Sequence, residues 1–180
     1  MRDLVTLTFA AMLAFSVPAL AAGGGGTTTT SPATLKCKQG EVVKEIVKNG
    51  TKKKVCVKAD VGILPDEELY QQGRALAKEG QYDWALQVLA VIQNQNDPRV
   101  LNYTGYSHRK AGRLEIGIGY YRKALAINPN FVLAREYLGE GYVAAGRLDL
   151  AKVELAEIEK RCGLGCEEYQ DLSAAIAAAD

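Results

Sequence analysis

Residues 97–130 read DPRVLNYTGYSHRKAGRLEIGIGYYRKALAINPN. The stretch predicts two short amphipathic helices, because apolar side chains recur at helical spacing on both sides of Gly112. Glycine supplies the left-handed residue at which many helices end, so Gly112 marks the turn between the two helices. Asn128 and Pro129 then end the second helix, since proline does not continue a helix. The stretch is therefore one helix-turn-helix unit.

Two series of glycines repeat this unit on both sides. Each series has intervals of 32 and 34 residues, and the members are Gly73, Gly105 and Gly139 in one series and Gly80, Gly112 and Gly146 in the other. A period of about 34 residues with helix-turn-helix content is typical of the tetratricopeptide repeat. The chain resembles that family over three repeats, at residues 66–97, 98–131 and 132–165.

The resemblance extends to the packing positions within each repeat. The second helices carry, in equivalent places, a small residue, a bulky residue and a closing core residue: Ala85, Leu89 and Ile92; Gly117, Tyr121 and Ala124; Ala151, Leu155 and Ile158. The first glycine series is expected at the close crossing of the two helices of each repeat. An acid follows each turn and is expected to cap the second helix; these acids are Asp83, Glu115 and Asp149. Residues 166–180 have apolar side chains at helical spacing and predict a capping helix. The predicted fold is thus mostly α: an α-solenoid of three repeats with a C-terminal capping helix.

The start of the chain has the pattern of an export signal. Residues 1–21 contain a basic residue, an apolar run and an Ala-Leu-Ala cleavage site, which together indicate a signal peptide. Residues 22–34 are rich in glycine and threonine and indicate a flexible linker. We therefore expect an exported protein, periplasmic or secreted.

Residues 35–58 form a different unit, with eight lysines against two glutamates, whereas residues 59–180 have a net charge of −5. Asn49 and Gly50 separate two β-branched runs and predict a β-hairpin with a type I′ turn. In that register Val42 faces Val57. The hairpin is expected to be a separate unit that a disulfide closes, because a two-stranded hairpin alone is marginally stable.

An exported chain retains disulfides, and its four cysteines bracket two local units. We expect Cys37 to pair with Cys56 around the hairpin, and Cys162 with Cys166 at the corner before the capping helix. The alternative for the second pair is a redox or metal site, although Cys-x-x-x-Cys without further ligands has little in common with metal sites. No metal or other cofactor is predicted.

The sequence gives no support for an enzyme. It lacks a nucleophile motif, a phosphate-binding loop and a pair of metal ligands at a suitable spacing. His108, its one histidine, is aligned with Leu76 and Tyr142 and is expected to be packed in the repeat.

The resemblance implies that the first helices line a concave groove that binds a peptide or a partner helix. The candidate partner-binding residues on these helices are Tyr70, Arg74, Lys78, Arg99, Asn102, Tyr106, Arg109 and Lys110. Cationic side chains beside asparagine and tyrosine suit an acidic segment or a C-terminal carboxylate. In the third repeat the same face carries Glu136 and Glu140, so the groove is predicted to be basic at one end and acidic at the other. Arg109 is expected to extend into solvent.

The predicted function is a non-enzymatic adaptor of the cell envelope that binds a protein or peptide segment in this groove. An alternative is an anchoring module, in which Lys52, Lys53 and Lys54 of the hairpin contact an anionic surface. A further alternative is a thiol-disulfide or metal-handling protein. Nucleic acid is not an expected partner, because the repeats are net acidic. The sequence does not indicate the oligomeric state.

Overall fold

A computed structural model describes residues 35–179. The predicted signal peptide and the predicted linker both lie outside these residues. The elements are β1 (Glu41–Lys48), β2 (Thr51–Lys58), α1 (Asp66–Lys78), α2 (Tyr82–Leu89), α3 (Pro98–Lys110), α4 (Leu114–Ile127), α5 (Val132–Ala144), α6 (Leu148–Cys162) and α7 (Glu167–Ala177). In this part of the chain no helix is long and apolar enough to span a bilayer.

Six of the helices form three consecutive pairs, α1 with α2, α3 with α4 and α5 with α6. The turn within each pair contains a glycine with positive φ, at 81° for Gly80, 83° for Gly112 and 69° for Gly146. A side chain at such a residue would be strained, which explains why the turns require glycine. The first helices α1, α3 and α5 are neighbours along the stack.

The crossing of α3 with α4 is close because Gly105 has no side chain. A Cβ atom built at Gly105 would lie 2.8 Å from a ring carbon of Tyr121 and 3.0 Å from the backbone oxygen of Gly117. Gly73 has the same relationship to Leu89 in the first pair.

The third pair differs, because a Cβ atom at Gly139 would clash with the side chain of Leu172 of α7. Leu172 and Ile176 are both buried, and α7 packs on α5 and α6. Leu172 of the capping helix therefore lies beside Gly139, which the repeat pattern had placed at the crossing of α5 with α6. The predicted fold class, three helix-turn-helix repeats with a C-terminal capping helix, is confirmed.

The hairpin has the predicted register, with Val42 opposite Val57. Asn49 and Gly50 both have positive φ, at 51° and 73°, as a type I′ turn requires. The predicted disulfide between Cys37 and Cys56 closes the unit, and a loop of this length corresponds to a stabilisation of about 3 kcal/mol in the chain-entropy account.

The hairpin is not the separate unit that the sequence predicted. Val42 is buried in the same core as the repeats, with 1% of its surface exposed. The side-chain amide of Gln72 on α1 donates to the backbone oxygen of Val43 at 2.8 Å and accepts from its nitrogen at 2.7 Å. Trp84 on α2 donates to the backbone oxygen of Glu41 at 2.9 Å. The hairpin therefore caps the N-terminal end of the solenoid.

The acids after the turns do not cap the second helices, contrary to the prediction. Within residues 35–179 the N-termini of α2, α4 and α6 have no side-chain cap hydrogen bond. Asp83 instead accepts a hydrogen bond from Arg113 at 2.9 Å, and Glu115 accepts one from Arg147 at 2.7 Å. These acids thus link each turn to the turn of the next repeat.

Candidate functional site

The first helices and α7 enclose an open cavity of about 420 Å³ on the concave side of the solenoid. This volume is within the usual range of ligand pockets. The lining residues are Arg74, Lys78, Tyr103, Tyr106, Lys110, Leu133, Glu136, Tyr137, Glu140, Glu167, Glu168 and Asp171. We call this space the concave cavity.

Cations line the side of the cavity formed by α1 and α3. Arg74 donates to the hydroxyl of Tyr103 at 3.0 Å, and Lys78 donates to the hydroxyl of Tyr137 at 2.8 Å. Lys110 is exposed, with its ammonium 5.8 Å from the ring centre of Tyr106. The hydrogen bonds of Arg74 and Lys78 go to neutral hydroxyl groups, so neither cation is neutralised by them.

Aromatic rings form the floor of the cavity. The rings of Tyr103 and Tyr106 are 6.0 Å apart, and those of Tyr106 and Tyr137 are 5.1 Å apart. The ammonium of Lys78 lies over Tyr106 and Tyr137, at 5.1 Å and 5.4 Å from the ring centres. Ring faces attract cations, so the floor favours positive charge.

Carboxylates line the side formed by α5 and α7. Glu140 forms an ion pair with Arg109, and Arg109 also donates to the hydroxyl of Tyr121 at 3.2 Å. Only 10% of the Arg109 side chain is exposed. The prediction that Arg109 extends into solvent is therefore wrong, because α5 covers it and supplies its counter-ion.

Glu136 differs from the other carboxylates because it is buried, with 5% of its surface exposed. Burial disfavours its charged form, and the nearby Glu140, Asp171 and Glu168 repel a further negative charge. Together these effects raise the pKa of Glu136 to about 8, although Lys78 acts in the opposite direction.

Four of the eight predicted binding residues line the concave cavity: Arg74, Lys78, Tyr106 and Lys110. The other four do not. Tyr70 is buried under Arg99, which forms ion pairs with Asp97 and Glu67. Asn102 is fully buried, and neither polar atom of its side chain has a hydrogen-bond partner in the described chain. Arg109 lies behind the cavity in its ion pair with Glu140.

The sequence did not identify Tyr103, Tyr137 or the three acids of α7 as binding residues. Tyr137 follows Tyr103 by 34 residues, so the repeat period itself identifies the pair. Glu167, Glu168 and Asp171 lie on the polar side of the capping helix, and their position at the cavity depends on how α7 packs on α5.

His108, Cys162 and Cys166 carry groups that could act in catalysis or bind a metal. In the structure each of them is held in a contact with a neighbouring side chain. His108 stacks on Tyr120 with 5.5 Å between ring centres, and its Nδ1 accepts from Arg113 at 2.8 Å. Burial, together with the charge of Arg113, lowers the pKa of His108. Cys162 and Cys166 are joined in a disulfide, so in this state neither offers a thiolate to a metal.

Solved structures with a similar fold are tetratricopeptide domains. The first such domain of human RPAP3 is 18% identical, with a TM-score of 0.55 over 63% of this chain and 94% of that one. The TPR2B domain of yeast Sti1, in complex with pHsp70, is 17% identical, with a TM-score of 0.57 over 63% of this chain and 94% of that one. The type III secretion chaperone SycD of Yersinia enterocolitica was solved in complex with a peptide of the translocator YopD. It is 19% identical, with a TM-score of 0.55 over 66% of this chain and 92% of that one.

No protein-family model matches the chain, and no curated protein matches it. At identities of 17–19% the structural likeness is one of fold. It agrees with the glycine series, the paired helices and the capping helix described above. The helical part of this chain has the tetratricopeptide-repeat fold.

Proposed function

We propose that the protein is a non-enzymatic adaptor of the cell envelope that holds a segment of a partner protein in the concave cavity. The observation that carries this proposal is the cavity itself, because the first helices of all three repeats and α7 contribute charged and tyrosine side chains to one open space. Such a surface suits binding, since it offers aromatic contact area with polar groups that fix orientation.

Structures of similar fold support a peptide as the ligand. The repeat domain of the RPAP3 protein Spaghetti was solved with the HSP90 peptide SRMEEVD, and SycD with a peptide of YopD. In the present chain the concave cavity lies along the first helices of the repeats.

The cationic side of the cavity favours an acidic segment or a C-terminal carboxylate. Arg74 and Lys78 reach neutral tyrosine hydroxyls, and Lys110 has no carboxylate partner in residues 35–179. A carboxylate placed between these side chains would form charge-assisted hydrogen bonds, which are stronger than bonds between neutral groups.

The test is capture of partners from an envelope extract by the mature chain, identified by mass spectrometry. The chain with Lys78→Glu and Lys110→Glu is expected to lose the partner, because both substitutions reverse exposed charges in the cavity. Lys123→Glu, on the exposed side of α4, is the matched control and is expected to retain it. Circular dichroism of each variant checks the fold. A partner that the double variant retains is not bound in the cavity.

Export is part of the proposal, and it rests on the pattern of residues 1–21. The mature chain is expected to begin at or near Ala22. Intact-mass measurement of the protein from its native source tests this, and retention of residues 1–21 would contradict it.

The hairpin offers a second candidate contact. Lys52, Lys53 and Lys54 are exposed on β2, and Lys52 forms an exposed ion pair with Glu45 at 2.8 Å. We propose, as the alternative, that these lysines contact an anionic surface. Sedimentation with vesicles that contain phosphatidylglycerol tests it, with the lysines replaced by glutamine. Substitution is the appropriate change, because deletion of the hairpin would uncover the first repeat.

A further inference from the structure

The concave cavity contains more carboxyl groups than cations. Its carboxylates are Glu136, Glu140, Glu167, Glu168 and Asp171, and its cations are Arg74, Lys78 and Lys110. Glu140 is paired with Arg109 behind the wall. The other four acids have no ion-pair partner in residues 35–179.

Glu136 is the acid for which this matters most. It lines the cavity although only 5% of its surface is exposed, and none of the described groups donates a hydrogen bond to its carboxylate. The fully buried side-chain polar atoms that lack a partner in the described chain are those of Asn102, so the Glu136 carboxyl oxygens are still open to the cavity. A ligand in the cavity can supply the hydrogen-bond donor that Glu136 lacks.

The surroundings of Glu136 define what that ligand is. Glu140 on its own helix, together with Glu168 and Asp171 on α7, makes the site more negative. Lys78, from α1, is the one cation among the main electrostatic influences on it. A second cation would relieve both the repulsion and the missing hydrogen bond.

The tyrosine floor is a second and independent attraction for a cation. Lys78 already lies over Tyr106 and Tyr137, 5.1 Å and 5.4 Å from the ring centres. The side chain of Lys78 comes from α1 and is otherwise exposed, so a ligand can displace it. The place that it occupies is suited to a positively charged group.

We propose that the partner segment presents a lysine or arginine side chain, whose cation binds between the Glu136 carboxylate and the faces of Tyr106 and Tyr137. This inference rests on the proposed function, because it assumes that the cavity binds a peptide. It adds that the segment is dipolar: a carboxylate of the segment lies toward Lys78 and Lys110, and a cation lies toward α5 and α7.

The test uses capped hexapeptides of glycine and serine with one central residue that is lysine, arginine, norleucine or glutamate. Binding is measured by amide chemical shifts in an NMR titration of the mature chain, with the signals of Tyr137, Gly139 and Leu172 as reporters. The lysine and arginine peptides are expected to bind about tenfold more tightly than the norleucine peptide, which has similar length without charge. Equal binding of the lysine and norleucine peptides would overturn the inference.

Glu136→Gln keeps the shape of the side chain and removes its charge. It is expected to abolish the preference for lysine over norleucine, whereas Glu159→Gln, exposed on α6, is the matched control and should keep the preference. In the unaltered chain the preference should increase from about pH 6 to about pH 9, because the cation binds ionised Glu136. A preference that survives in Glu136→Gln would place the cation elsewhere and overturn the inference.

Lys78→Met separates the inference from the proposed function. It is expected to tighten binding of the lysine peptide, because it frees the tyrosine faces, and to weaken binding of the glutamate peptide. If the glutamate peptide binds and the lysine peptide does not, the adaptor proposal stands and the cation site is wrong. If neither peptide binds, the cation site is wrong, and the capture experiment with Lys78→Glu and Lys110→Glu still decides the proposed function.

Discussion

The ammonium of Lys78 lies 2.8 Å from the hydroxyl of Tyr137, so one hydrogen bond joins the first helix of the first repeat to the first helix of the third. The two residues are 59 positions apart in the sequence. The bond crosses the concave cavity, and Lys78 therefore affects both the shape of the cavity and its charge.

Lys78→Met is expected to lower the free energy of unfolding by about 1 kcal/mol, the usual net contribution of one hydrogen bond. Lys110→Met is the control, since Lys110 lies in the same cavity without such a bond, and it should change stability less. Urea denaturation followed by circular dichroism measures both. An equal effect of the two substitutions would mean that the bond to Tyr137 does not stabilise the fold.

Gly105→Leu is expected to prevent folding, and Gly105→Ala to lower stability by about 1–3 kcal/mol, because the added atoms overpack the crossing of α3 and α4. Gly119 is the matched control within α4, as a Cβ atom built there meets nothing within 4 Å. Gly119→Ala should stabilise the chain by about 0.5–1 kcal/mol through helix propensity. Thermal denaturation distinguishes them, and similar midpoints for the two alanine variants would refute the packing at Gly105.

These glycines show why so much of the fold could be predicted from the sequence. A close helix crossing and a left-handed turn are local requirements, and each imposes one residue type at a fixed spacing. The hairpin register was predictable for the same reason, since Asn49 and Gly50 determine the turn. The α7 acids were missed because their position at the cavity depends on packing between helices distant in sequence.

The errors at Arg109 and Asp83 have a common physical cause. A helical pattern shows which side chains share a face, but not whether a later helix covers that face. Glu140 reaches Arg109 from 31 residues away, and Arg113 reaches Asp83 from 30. The cap formed by the hairpin was missed in the same way, because nothing local indicates that Val42 packs against the first repeat.

Arg109 and Glu140 form a partly buried pair, so removing one partner leaves the other charge without compensation. Glu140→Gln is expected to lower stability by about 3 kcal/mol, because it leaves the more buried Arg109 charge uncompensated, and Arg109→Gln by somewhat less, since the glutamate that remains is more exposed. The double variant should lose less than the sum of the two, because the partners interact. Chemical denaturation of the four chains completes the cycle, and additive losses would contradict an energetic coupling.

Val42→Ala is expected to destabilise the repeats as well as the hairpin, by about 1–3 kcal/mol, because Val42 is buried in their shared core. Val47→Ala is the control on the same strand, where 69% of the residue is exposed, and it should have little effect. The measurement is helical circular dichroism during thermal unfolding. An unchanged helical transition in Val42→Ala would show that the hairpin does not cap the solenoid.

The pKa of Glu136, raised to about 8, predicts how stability depends on pH. Below about pH 4.5 the group is protonated in both the folded and the unfolded chain, so it adds no pH dependence. Between about pH 4.5 and about pH 8 the unfolded chain releases this proton while the folded chain keeps it, so stability falls as pH rises.

Glu136→Gln is neutral at every pH, so its stability does not fall in this way. Its stability relative to the unaltered chain should therefore increase by about 2 kcal/mol from about pH 5 to about pH 8, after allowance for partial access of solvent to the carboxylate. Glu159→Gln, exposed on α6, is the matched control. Urea denaturation of the three chains across this range measures the differences, and parallel pH profiles for Glu136→Gln and the unaltered chain would mean that Glu136 ionises normally.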